Sequence, residues 1–138
     1  MTSDVDANGL IENRGRALVG TVSEHEKTKG WFFGAFVDDP LLRSDLVEVA
    51  WQKLPDLTPS PDQEHFHRAT VEINIVIKGS IELSIDGERH KLETGQFYVI
   101  WPESVVSDLT TGDDTELIVV RAPSIPGDKF LGTPEPRS

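Results

Sequence analysis

The chain reads as one small all-β domain, and three observations lead there. Residues 71–121 break into short apolar runs at 71–78, 80–85, 90–92, 96–101, 105–109 and 116–121, separated by turn signals at the spacing of a sandwich or barrel. No segment carries the sustained apolar period of a helix of ordinary length. With 138 residues and 37% hydrophobic content there is material for one core and not for two.

Residues 1–29 are polar apart from Ala17-Leu18-Val19 and Thr21-Val22, so they are expected to form an N-terminal arm with one short strand. Residues 30–37 hold Trp31, Phe32, Phe33 and Phe36, an aromatic-rich run that predicts a strand closing or plugging the core. Residues 38–44 have room for one helical turn. In 46–53, Val47, Val49 and Trp51 recur at period two, the alternation of a half-buried strand, and Trp51 is expected to line the barrel. A Pro-rich loop follows at 54–61.

The barrel domain is assigned to residues 30–125. Within it, Lys78-Gly79-Ser80, Thr94-Gly95 and residues 111–114 mark turns, and Asp86-Gly87 is a strong type I′ hairpin signal because both central positions want positive φ. Residues 126–138, with Pro126, Pro134 and Pro136, form a C-terminal tail that cannot continue a central strand and is expected to fray near its end.

Twenty-four acidic against 13 basic side chains give a net charge of −11, which repels nucleic-acid backbones and anionic membranes alike. The partner expected instead is a small molecule. There is no cysteine, so thiolate metal sites, disulfides and cysteine nucleophiles are excluded. The acidic opening MTSDVDANGL is unlike a secretory signal and no stretch reaches membrane-spanning length, so a cytoplasmic location is expected.

Chemistry concentrates at His65-Phe66-His67 and Glu72. Histidines two apart on a strand project from one face, with Phe66 turned to the other. A tight connection at 68–70 would let Glu72, on the neighbouring strand, reach the same point. Two imidazoles and a carboxylate suit a divalent Zn, Fe, Mn, Ni or Co ion, and three protein ligands leave positions open for water, substrate or dioxygen.

These residues resemble the first motif of the cupin superfamily, G(X)5HXH(X)3,4E(X)6G: HFHRATVEINIVIKG supplies His65, His67, Glu72 and Gly79, with Pro59 where the leading glycine belongs. The family's second motif is matched in part from Gly95 onward, with Trp101 at its proline, Glu103 at its glycine, Val106 at its metal-binding histidine and Thr110 at its asparagine. The resemblance spans roughly 46–122. It implies a double-stranded β-helix, the cupin or jelly-roll barrel, with His65, His67 and Glu72 as three of the family's four metal ligands and Val106 in place of the fourth. Asp108, two residues beyond Val106, would share its face and offer a substitute carboxylate; a bulge would bring in Ser107 instead.

Alternation then places Asn74 and Val76 inside with Glu72, and Ile73, Ile75 and Ile77 against a second apolar layer or a partner chain. On 96–101, either Tyr98 and Ile100 or Phe97, Val99 and Trp101 face the cavity. The expectation is a metal-dependent enzyme of dioxygenase, isomerase or lyase type. Glu72, Tyr98 and Asp108 would carry its chemistry, with Asn74, Trp51, Trp101 and Val106 around the substrate. The competing expectation is a sugar- or metabolite-binding barrel without turnover, favoured by Val106. The apolar face and the aromatic strand predict a homodimer. His25 and His90 are read as solvent-facing, and Ser104 and Ser107 lack the surroundings of a nucleophile elbow.

Overall fold

Strand formation follows the alternation closely. A computed structural model describes residues 17–54 and 64–135. It contains β1 (Trp31–Phe33), β2 (Glu48–Lys53), β3 (His65–Phe66), β4 (Val71–Lys78), β5 (Ser80–Ile85), β6 (Glu88–Glu93), β7 (Phe97–Ile100), β8 (Val106–Thr111), β9 (Glu116–Ala122) and β10 (Phe130–Leu131). Asp86 and Gly87 both take positive φ, 50° and 84°, and join β5 to β6 in the tight hairpin that the dipeptide predicts. Residues 1–16 and 136–138, and the Pro-rich stretch 55–63 with Pro59, lie outside the described residues.

Two antiparallel five-stranded sheets face each other, in the orders β1-β2-β9-β4-β7 and β10-β3-β8-β5-β6. This is the double-stranded β-helix. Between the sheets, Ala50, Val76, Ile81, Leu83, Leu92, Tyr98, Ile100, Val106, Leu117 and Val119 form one buried core. Register decides which side chains meet. Arg121 on β9 pairs with Glu48 on β2 and with Glu72 on β4, so a single inward row crosses three strands as Glu48–Arg121–Glu72. The next inward row is Ala50–Val119–Asn74–Tyr98. On the outer face, Val49–Val120–Ile73–Val99 and Trp51–Ile118–Ile75–Phe97 form two adjoining apolar rows.

Four expectations are corrected. The aromatic strand ends at Phe33, because the chain turns back: Val37 N–H donates to Gly34 O (3.3 Å), and the Phe36 ring meets Trp31 edge-on at 5.9 Å. No strand forms at 17–22; a 3-10 helix, Val22–Thr28, follows instead. Residues 38–44 make turns rather than a helical turn. The segment assigned to a tail beyond the barrel domain contributes an edge strand, β10, which pairs with β3.

Candidate functional site

The site is assembled on β3, the turn after it and the start of β4. Phe66 stacks on Phe130 of β10 (5.6 Å, 26°) under the Arg68 guanidinium, so it points away from the imidazoles as strand alternation requires. The rings of His65 and His67 lie 5.7 Å apart at 83°, both buried. Residues 68–70 then turn around a single carboxylate. Asp128 accepts the backbone N–H groups of Arg68 (3.0 Å), Ala69 (3.0 Å) and Thr70 (2.9 Å). Partial burial raises the Asp128 carboxyl, but these three donors outweigh it and hold it below the usual carboxylate range.

Asp128 does a second thing. Its backbone carbonyl accepts a hydrogen bond from Nδ1 of His67. A carbonyl can only accept, so Nδ1 carries a proton, and in the neutral ring the lone pair is then on Nε2. That Nε2 is buried with no hydrogen-bond partner, and Oε2 of Glu72 stands 3.9 Å from it. The gap is too long for a hydrogen bond.

Glu72 is gripped from its other side. Arg121 Nε donates to Oε1 of Glu72 (2.8 Å), its Nη1 lies 3.6 Å from Oε1 of Glu48, and Ser124 Oγ donates to the remaining oxygen of Glu48 (3.0 Å). The Arg121 guanidinium also rests on the Trp31 ring at 4.8 Å. Burial pushes the Glu72 carboxyl up, but the charge of Arg121, its hydrogen bond and the two histidines prevail and leave it below its ordinary value. Glu72 is therefore a buried anion at neutral pH.

A cavity of about 240 Å³ opens beside this carboxylate, and His65, Glu72, Asn74, Tyr98 and Val106 form part of its wall. Asn74 Nδ2 is buried without a hydrogen-bond partner. Tyr98 is buried, and that burial, reinforced by Glu72, raises its phenol far above the usual range, so it stays protonated. The alternative left open on β7 is thus decided for Tyr98 and Ile100.

Three predicted site residues lie elsewhere. Trp51 is on the outer face, 37% exposed, its Nε1 donating to Glu116 Oε1 (2.8 Å). The period-two pattern marked the strand correctly, but β2 turns Glu48 and Ala50 inward. Trp101 is 66% exposed beyond the end of β7, on the parity opposite to Tyr98. Asp108 is exposed with φ of 52°. The β5–β8 register slips by one between Glu82 and Ser84, the mark of a bulge. The extra residue reverses the alternation, so Leu109 lines the cavity and Asp108 leaves it, its backbone oxygen accepting from Arg89 (2.7 Å). Ser107 does not take its place on the cavity wall. Val106, in contrast, sits opposite His65 in the β3–β8 ladder, an apolar wall beside the imidazole.

Sequence reasoning missed Arg121, Asp128, Lys29 and Lys129. Arg121 had a signal, because it continues the inward parity of Leu117 and Val119 on β9. Asp128 and Lys129 had none, since they arrive from a segment 60 residues away from Arg68.

Among the described residues no group of three His, Asp or Glu side chains stands close enough together to hold a metal ion as placed. The donor set nonetheless fits one. Ligands about 2.1 Å from a shared ion lie roughly 3.0–3.5 Å apart. The 3.9 Å between His67 Nε2 and Glu72 Oε2 exceeds that by a few tenths of an ångström. The orphaned Nε2 presents its lone pair to that gap.

A two-sheet barrel with two imidazoles and a carboxylate gathered at one end of its interior defines the class: small β-barrel proteins with a polar interior site. Residues 56–120 match the family model described as Cupin domain, so the chain carries a cupin domain. Metal ions are common in that family. Among solved structures, a protein from Planctomyces limnophilus is 18% identical, with 83% of this chain and 96% of that one covered and a TM-score of 0.58. KdgF from Halomonas sp. is 18% identical over 60% of this chain and 74% of its own (TM-score 0.49), and a cupin protein from Bacteroides fragilis is 24% identical over 56% and 66% (TM-score 0.47). At this identity the likeness to the Planctomyces limnophilus protein concerns the fold alone. No curated protein sequence matches the chain. Among the described residues no helix is long and apolar enough to cross a membrane.

Proposed function

We propose that this cupin is a metal-dependent enzyme acting on a small polar metabolite by dioxygenase, isomerase or lyase chemistry, with His65, His67 and Glu72 holding the ion. The observation that carries the reading is the buried, unpartnered Nε2 of His67 facing the buried Glu72 carboxylate at 3.9 Å. An ion bound there would act as a Lewis acid on a substrate oxygen or activate water or dioxygen. The chain's own groups do the rest. Arg121 keeps Glu72 ionised and aimed, and the Asp128 carbonyl keeps the His67 lone pair on Nε2. Asn74 Nδ2 offers an unused amide donor to a substrate oxygen, and the protonated Tyr98 can donate as well. Val106 keeps one side of the site apolar.

The test is metal analysis of protein purified without chelator. Near-stoichiometric divalent metal, lost in His67→Ala, is expected, and a metal-free wild type would sink the reading. The second reading, capture of a metabolite without turnover, draws on Arg121 occupying one oxygen of Glu72 and on Val106 replacing a ligand. It gains if metal is absent while small-molecule binding persists.

Assembly as a cytoplasmic homodimer belongs to the same proposal. The two outer rows carry no charged residue, whereas the whole chain carries −11, so a second copy meets less like charge here than on the rest of the surface. Phe97 (65% exposed) and Ile75 (37%) would anchor the contact. Sedimentation should give a dimer that Ile75→Glu converts to monomer; a monomeric wild type refutes it.

A further inference from the structure

We infer that the cavity takes a substrate bearing a single carboxylate group, received by Lys29 and Lys129 at the edge of the Glu48–Arg121–Glu72 row. The inference takes the cavity as the functional site, as proposed above, and is independent of whether an ion is bound.

The chain has nearly twice as many acids as bases, yet Lys29, Arg121 and Lys129 all line the same 240 Å³ cavity. Arg121 is committed to Glu72 and Glu48. The two lysines are not: among the described residues neither Lys29 nor Lys129 is in an ion pair. Among the described residues Glu72 is the one carboxylate on the cavity wall and Arg121 is spent on it, so the two ammonium groups are left to receive an anion; the buried Glu72 and the Asp128 carboxylate beside Lys129 favour a monoanion such as a carboxylate over a phosphate dianion.

The lysines are also mounted on anchored backbone, unlike ordinary surface lysines. Lys29 and Gly30 take positive φ, 55° and 86°, in the turn between the 3-10 helix and β1. The Gly30 carbonyl accepts the Trp51 N–H (3.1 Å), and a Cβ on Gly30 would collide with the Trp51 carbonyl oxygen, so the turn is pressed against β2. Lys129 lies between Asp128, which is tied to three N–H groups of residues 68–70, and β10, which is paired with β3. Two segments from opposite ends of the chain thus deliver an ammonium group to one cavity. A second cavity of about 340 Å³ shares Trp31, Arg121 and Lys129 with the first and adds the apolar Phe36, Ile125 and Pro126. A carboxylate at the lysines would leave the body of the molecule to lie against polar Asn74 and Tyr98 on one side or this apolar shelf on the other.

The test is calorimetric titration of the full chain, as purified and after chelator treatment, with glycolate, pyruvate and lactate. Each is paired with its amide, and inorganic phosphate is run alongside. Carboxylates should bind at least tenfold more tightly than their amides, and more weakly as salt rises. Lys29→Gln/Lys129→Gln should weaken carboxylate binding about tenfold or more in whichever form binds, with metal content and thermal unfolding unchanged. Equal affinity for acids and amides, no binding of any carboxylate, tighter binding of phosphate, or unchanged affinity in the double variant each overturns the assignment. A wild type that binds carboxylates through the lysines but holds no metal overturns the metal reading and leaves this one standing.

Discussion

Along β4 and β9 the inward positions run from charged to apolar: Glu72, Asn74 and Val76 on one strand lie beside Arg121, Val119 and Leu117 on the other. One end of the interior holds an ion row, two imidazoles and three buried polar atoms without hydrogen-bond partners. The other packs Val76 and Leu117 with Ile81, Leu83 and Leu92 from the facing sheet. The strands, pleat and burial are the same at both ends, so the difference is chemical. An apolar end gains stability from every methylene it removes from water. A charged end pays for desolvation and recovers it only through paired geometry. Its three unmatched polar atoms lower stability further. The apolar end holds the fold and the charged end carries the chemistry.

The most severe way to break this division is Arg121→Met, which leaves Glu48 and Glu72 buried as unpaired anions. Urea denaturation at pH 7 should show a loss of about 3–5 kcal/mol. The deficit should shrink toward pH 5, because unpaired buried carboxylates protonate more readily. An unchanged transition would mean the ion row does not hold that end together. Leu83→Ala, at the apolar end, should cost about 3 kcal/mol through its cavity and leave metal content as in wild type. If metal were lost as well, the two ends would be one cooperative unit and the comparison would fail.

Asp128→Ala probes the clamp rather than either end. Because Asp128 is partly exposed, its charge-assisted bonds are worth about 1.5 kcal/mol, at the low end of their range. Its folded pKa lies below its ordinary value of about 3.9. The stabilisation is therefore complete above that value and is lost as pH falls through the lower folded one. The variant should show a shallower loss of stability as pH falls below about 4. NMR should also show the His67 proton distributed over both ring nitrogens once the 68–70 turn and the Asp128 carbonyl are released. A fixed Nδ1 tautomer in the variant would remove Asp128 from the site.

Much of the fold was legible in the sequence because the pleat has period two and each turn carries its own residue signal. β4 and β5 lie where the apolar runs of 71–78 and 80–85 predicted them, and Glu72, Asn74 and Val76 all point inward. Period two, however, does not say which face is inside. Trp51 shows the limit: its strand was identified and its direction was not. Asp108 shows another, because a single extra residue in β8 reverses everything beyond it, and αL backbone at an aspartate leaves no clear trace in composition.

By itself the sequence determined the all-β architecture, the proximity of His65, His67 and Glu72, and the absence of a fourth ligand at Val106. These are local facts, set by spacing along one strand and across one short turn. The tertiary structure decided what surrounds them. Arg121 enters through the register of β2, β9 and β4, and Asp128 and Lys129 through the return of residues 128–131 onto β3. Lys29 enters through a turn seated on β2. Their electrostatic consequences for Glu72 depend on separation in space, which spacing along the chain does not encode for residues 40–60 apart.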